Sequence, residues 1–162
     1  MNRIATCLFI AAFLLGACDL AQAAGGKLGC SLYYATRLEG AEMTYTNISF
    51  RNLASKGTIT IEKVDIYQSD GTLAAGLASG KYPSGFRGSL GPHQYTSLRL
   101  PDVIKTPPAT SGLQAIVSWV ADSPSVSPMV TSVFLTFGRD AKTGAEKESR
   151  ARHVLPCVPM GR

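Results

Sequence analysis

The chain predicts an all-β fold, a single antiparallel immunoglobulin-like β-sandwich. Three observations carry this. Apolar residues recur at every second position in several short runs, the period of a half-buried strand. Turn residues separate the runs, Asp70-Gly71 being the clearest pair. No stretch of useful length holds a helical apolar stripe. Six to nine short strands of this kind pack as two antiparallel layers. The immunoglobulin likeness is architectural, because no cysteine pair brackets Trp119 at intersheet positions.

Taken in order, Met43 to Arg51 sets Ile48 and Phe50 two apart with polar residues between. Thr58 to Tyr67 is β-branched and nearly continuous, and Leu73 starts a return strand after the Asp70-Gly71 turn. Tyr95 to Leu100 alternates, with Thr96, Leu98 and Leu100 on one face. Leu113 to Ala121 is apolar on both faces, which suits a strand buried between layers. Met129 to Phe137 alternates through Val133 and Leu135. Leu32 to Tyr34 and His153 to Leu155 add edge strands. Ala141 to Arg152 is the best helical candidate, but without an apolar stripe it reads as a solvated loop or hairpin end. Ile61, Val117, Trp119 and Val133 are expected in the core.

Residues 1–23 read as an export signal: Arg3 supplies a positive start and Leu8 to Ala17 an unbroken apolar run. That run is shorter than the roughly 20 residues of a spanning helix. Two cleavage sites compete. Leu15-Gly16-Ala17-Cys18 resembles a lipoprotein site, with Cys18 lipidated as the new N-terminus; Ala21-Gln22-Ala23 resembles an ordinary signal-peptidase site. The body is expected on the periplasmic side of the cell envelope, lipid-anchored or soluble, touching membrane only through the anchor. Residues 24–42 read as a lead-in containing Cys30, and 43–162 as the sandwich domain. Cys30 and Cys157 remain after processing, and two thiols in an oxidising compartment favour one disulfide over a pair of free buried thiols.

Formal net charge is +5, weak support for an anionic partner. Nucleic acid is not expected, since the chain is exported and lacks an aromatic-basic signature. Ala74 to Pro92 is glycine-rich and carries Lys81, Tyr82, Phe86 and Arg87. It reads as a mobile connection between sheets or as a functional loop, and Lys81, Tyr82 and Arg87 are candidate partner contacts. Arg150 and Arg152, two apart, share a face on a regular strand. They either pair with an anionic group or neutralise Glu146 and Glu148 at an edge.

Catalytic signatures are absent from the sequence. Nucleophilic catalysis needs a base beside a serine or cysteine, and His93 and His153 are the two histidines. Asp65 and Asp70 flank a turn, where acids commonly cap local structure. His93, His153 and the methionines are too dispersed for zinc or copper ligation. No cofactor or metal is predicted.

Ile48-Ser49-Phe50-Arg51-Asn52, then Val64 through Gly71, then Trp119-Val120-Ala121-Asp122-Ser123-Pro124, and finally Ser149-Arg150-Ala151-Arg152 follow one another in a distinctive order. The set resembles a bacterial family of exported domains of unknown function, with RN, YYDTDG-like, tryptophan-ADEP and SRGR motifs. Ile66 stands in place of an aromatic and Ala151 in place of a glycine. The resemblance implies one exported domain and no activity. The functional expectation is a non-catalytic envelope module that binds a protein or an anionic surface partner. An enzyme with a site assembled from scattered residues is the alternative.

Overall fold

The computed structural model describes residues 24–37, 42–106, 112–139, 142–143 and 145–161, without the side chains of 37, 139 and 146–152. Among them are ten strands: β1 (Ala24–Arg37), β2 (Glu42–Arg51), β3 (Ile59–Gln68), β4 (Leu73–Ala78), β5 (Ser89–Leu90), β6 (Tyr95–Arg99), β7 (Gly112–Ala121), β8 (Met129–Arg139), β9 (Glu146–Pro156) and β10 (Val158–Pro159). A four-residue helix, α1 (Leu100–Val103), follows β6. All pairings are antiparallel, along the path β4-β3-β7-β1-β2-β8-β9, with β5 on β3, β6 on β2 and β10 on β1. The fold is therefore all-β and antiparallel, as the alternation predicts.

The segment expected as a lead-in is instead central to this path. Residues 24–33 of β1 pair with β7, and residues 34–37 pair with β2. β1 thus carries the ladder from one half of the path to the other. Leu28, Cys30, Leu32 and Tyr34 alternate inward and are buried. On β3 a register shift at Glu62 lets both ends face the core. Ile59 and Ile61 point inward before it, Val64 and Ile66 after it, and all four are fully buried. Each such side chain contributes about 2 kcal/mol of transfer free energy. Val117 and Val133 are buried as expected, and the buried side chains of both halves form one core cluster.

Residues 146–156, expected as a loop or hairpin end followed by a short edge strand, form β9, which among the described residues pairs with β8 alone. A charged segment without an apolar stripe forms a strand here because it satisfies the open edge of β8. The Asp70-Gly71 turn is present: Gly71 takes φ +85°, its N–H donates to Gln68 O, and Asp70 Oδ1 accepts from Thr72 N–H and Oγ1–H. Those two bonds, the backbone one foremost, hold the Asp70 carboxyl below its ordinary pKa.

Two polar knots close the end of the domain where Ala24 lies. Asn52 is fully buried just beyond β2. Its Nδ2 donates to Gly57 O and Leu90 O, both at 3.0 Å, and its Oδ1 accepts from Ala54 N–H. Asp122, just beyond β7, exchanges bonds with Thr58: its Oδ1 accepts from Thr58 N–H, and its N–H donates to Thr58 O. Gly57 sits between the knots at φ +84°, where an added Cβ would lie 2.8 Å from Asp122 Oδ1 and 2.9 Å from Val126 Cγ2. Only glycine fits that backbone and that gap.

Cys30 and Cys157 form a disulfide with Cα atoms 4.5 Å apart. It fastens the chain end to β1, and Cys157 N–H also donates to Val130 O.

Candidate functional site

Trp119 belongs to the inward set of β7, with Leu113, Ala115, Val117 and Ala121. Unlike them it is only half-buried, because it stands beside a cleft of about 650 Å³. Gly25 to Leu28 of β1, Ser127 to Thr131 at the start of β8, and Pro156 to Cys157 with Pro159 to Gly161 at the chain end supply the remaining walls. Gly26 lies directly opposite Trp119 in the ladder. A Cβ there would lie 3.5 Å from the indole nitrogen, so Gly26 packs closely over the ring. The Trp119 Nε1–H is buried and has no hydrogen-bond partner among the described residues. Leu28 and Val130 are buried, while Met129 and Met160 are exposed at the rim. Lys27 is the one charged residue among those lining the cleft. Such walls bind apolar groups, and no pair of acid and base side chains converges on them.

A second hollow of about 620 Å³ is lined by Tyr33, Glu42, Thr44, Phe134, Thr136, His153 and Leu155. It brings a carboxylate and an imidazole to one surface, but not into contact. Glu42 pairs opposite Gly138 and His153 opposite Phe134, so they lie four rows apart on β8. At the rise of a strand that is about 13 Å, too far for a proton relay. His93, the other histidine, is exposed in the Gly91–Gln94 turn at φ 57°.

The glycine-rich segment, Ala74 to Pro92, begins within β4 and ends where the chain starts its crossing to the other half. It runs from β4 to β5, both of which pair with β3; the crossing to β2 follows at residues 91–94. Aromatic contacts fix it. Tyr82 Oη–H donates to Ile61 O at 2.7 Å. The Tyr82 and Phe86 rings lie 4.5 Å apart, and Phe86 meets Phe50 edge-on at 5.3 Å. Arg87 N–H donates to Thr96 Oγ1. Burial, with the Glu62 charge as a smaller cause, pushes the Tyr82 hydroxyl up to about 12. Tyr82 therefore holds the loop in place, and Lys81 and Arg87 are its exposed cations.

Arg150 and Arg152 lie on β9, in a segment expected as a loop or hairpin end, and their side chains are outside the described residues. Arg152 pairs opposite Leu135, and a register shift falls at Arg150 between the Ala151 and Ser149 pairings. Cys18 also lies outside the described residues. Asp65 Oδ2 is 2.7 Å from Lys63 Nζ, a contact that raises the lysine's pKa. Asp65 Oδ1 is buried and has no hydrogen-bond partner among the described residues. Asp65 and Asp70 are thus each engaged locally, one in an ion pair and one in a turn. Among the described residues no cluster of three or more His, Cys, Asp or Glu side chains is placed to hold a metal ion, and no helix is long and apolar enough to cross a membrane.

The cleft was not legible from spacing, since its walls come from four separated segments. The exposed cations of the loop were. Comparison of the chain with family models, with curated proteins and with solved structures finds no match.

Proposed function

We propose that the chain is an exported, non-catalytic module of the cell envelope, tethered by a lipid on Cys18, whose loop bearing Lys81 and Arg87 recognises an acidic partner protein. The observation that carries the reading is the Cys30–Cys157 pair. Its Cα atoms are 4.5 Å apart across a sequence separation of 127, a bridge useful only in an oxidising compartment. The apolar run at Leu8 to Ala17 supports the same destination. The resemblance of the Asn52 and Trp119–Pro124 segments to an exported bacterial family agrees with it. The two halves joined through β1 share one core, which supports a sandwich in which they face each other. The pinned loop favours recognition, because Lys81 and Arg87 are presented without first ordering a mobile segment.

Cross-linking in intact envelopes, read by mass spectrometry, tests this. The expected result is one stoichiometric partner, cross-linked at Lys81 and lost in a Lys81→Glu, Arg87→Glu variant that keeps its disulfide. Unchanged capture by that variant would remove the loop from the account.

A further inference from the structure

Ala24, Ala121 and Ile59 pair side by side, marking one end of the domain. Tyr95, Arg51 and Met129 form the matching row on the other half. The two rows meet at the cleft, whose walls include both Gly25 and Met129. Beside the small and proline residues of its walls, two groups of exposed side chains lie at the cleft or next to it, Arg51 as the ladder neighbour of Met129. Met129, Val158 and Met160 are apolar and 46%, 60% and 41% exposed. Lys27 and Arg51 are cationic and exposed. Apolar residues on a monomer's surface are ordinarily scattered singly; here Met129 and Met160 line one opening, and Val158 lies two residues before Met160, paired with Gly29 of β1. Asp122, at the same end, is engaged with Thr58 N–H. Glu42 and Asp70 lie at the opposite end, at the start of β2 and just beyond β3.

We infer that this end seats on an anionic lipid bilayer. Met129, Val158 and Met160 enter the interface, and Lys27 and Arg51 pair with headgroup phosphates. The inference rests on the proposed lipid tether at Cys18. From Cys18 to Ala24 the chain spans about 20 Å at full extension, while β8 alone is about 36 Å long. A tether that short, leaving at the cleft, brings this end to the headgroups before the end bearing Asp70. A bilayer fits the surface better than a protein groove does: its headgroups take cations and its interface takes methionine and valine, with no shape requirement.

The test uses lipidated protein purified from envelopes and reconstituted in phosphatidylcholine vesicles with and without phosphatidylglycerol. A fraction of the lipid carries bromine on its acyl chains, which quenches nearby tryptophan. The natural chain has one tryptophan, Trp119. Met129→Trp places a second at the rim, and Leu73→Trp places one on β4, at an exposed site near the other end. The expected result is quenching of the added fluorescence in Met129→Trp and not in Leu73→Trp, stronger with phosphatidylglycerol. Lys27→Gln or Arg51→Gln should each lower the docked-to-free ratio about fivefold. Equal quenching at both sites, or at neither, overturns the inference. So does a shift in Met129→Trp emission that grows with protein concentration in lipid-free detergent, which would make a second copy the occupant. Intact mass on the same sample separates the failures. Acyl mass without quenching rejects the seat alone; a chain lacking acyl mass rejects the tether, and the seat with it.

Discussion

Removing the Cys30–Cys157 bridge perturbs the denatured chain more than the native core. The bridge spans a sequence separation of 127, for which loop closure predicts about 5 kcal/mol at room temperature. The native state adds a smaller loss. β10 is held by two register pairs, Leu28 with Pro159 and Gly29 with Val158, and by Met160 N–H donating to Lys27 O. Without the bridge that segment frays. Residual structure in the denatured chain acts the other way, lowering the entropic term. Together these give a loss of about 4 kcal/mol, a large share of the roughly 5–15 kcal/mol that holds a domain of this size. The Cys30→Ala, Cys157→Ala double variant is the right perturbation, because Cys30 is buried and a serine there would bury a hydroxyl. Urea unfolding followed by Trp119 fluorescence reads it out. The midpoint should fall, and the slope should rise as the unlinked denatured chain expands. Hydrogen exchange should show Val158 and Met160 losing protection while Val117 keeps it. A loss below about 1 kcal/mol, or equal loss of protection across β7 and β10, would refute this reasoning.

Asn52→Ala should cost about 3 kcal/mol, since it removes three hydrogen bonds made by a fully buried side chain and leaves a gap among them; chemical denaturation measures it. Gly57→Ala should cost about 2 kcal/mol through backbone strain and the Asp122 and Val126 contacts, read as a drop in melting temperature. Tyr82 gives an alkaline signature. Its hydroxyl ionises near 10 when unfolded and about 12 when folded. Between those values the unfolded chain releases the proton first, so stability is full below pH 10 and falls as pH rises toward 12. With the group partly solvated, the fall is about 1 kcal/mol. Tyr82→Phe should lose about 1 kcal/mol at neutral pH with the bond to Ile61 O, and should remove that alkaline slope. An unchanged slope in the variant would assign it to other groups.

Strands whose buried residues alternate could be read directly: β6, β7 and much of β2 follow period two, whereas β8 buries Val130 to Val133 in a row. β1 could not. Leu28, Cys30, Leu32 and Tyr34 do alternate, but Gly25, Gly26 and Gly29 lower the strand propensity around them. Those glycines stay in a strand because neighbouring β7 supplies the hydrogen bonds and Trp119 packs beside Gly26. Tertiary pairing likewise made β9 out of a charged segment with no apolar face. Asn52 and Asp122 stood out in the sequence as parts of motifs. The structure gives them mechanical work, closing the domain end around Gly57. Nothing in a linear sequence marks a buried asparagine, because its partners here are backbone carbonyls and a backbone N–H that almost any residue supplies. Trp119 was expected in the core and lies on its face, but the cleft beside it depends on where the chain end returns past β1.

The mass of the chain isolated from the envelope fraction, under alkylating and non-reducing conditions, tests export and tethering together. The account predicts a membrane-bound chain beginning at Cys18, carrying two or three acyl chains, with Cys30 and Cys157 joined and protected from alkylation. A soluble chain beginning at Ala24 would contradict the tether, and an unprocessed cytosolic chain alkylated at both Cys30 and Cys157 would contradict the export itself.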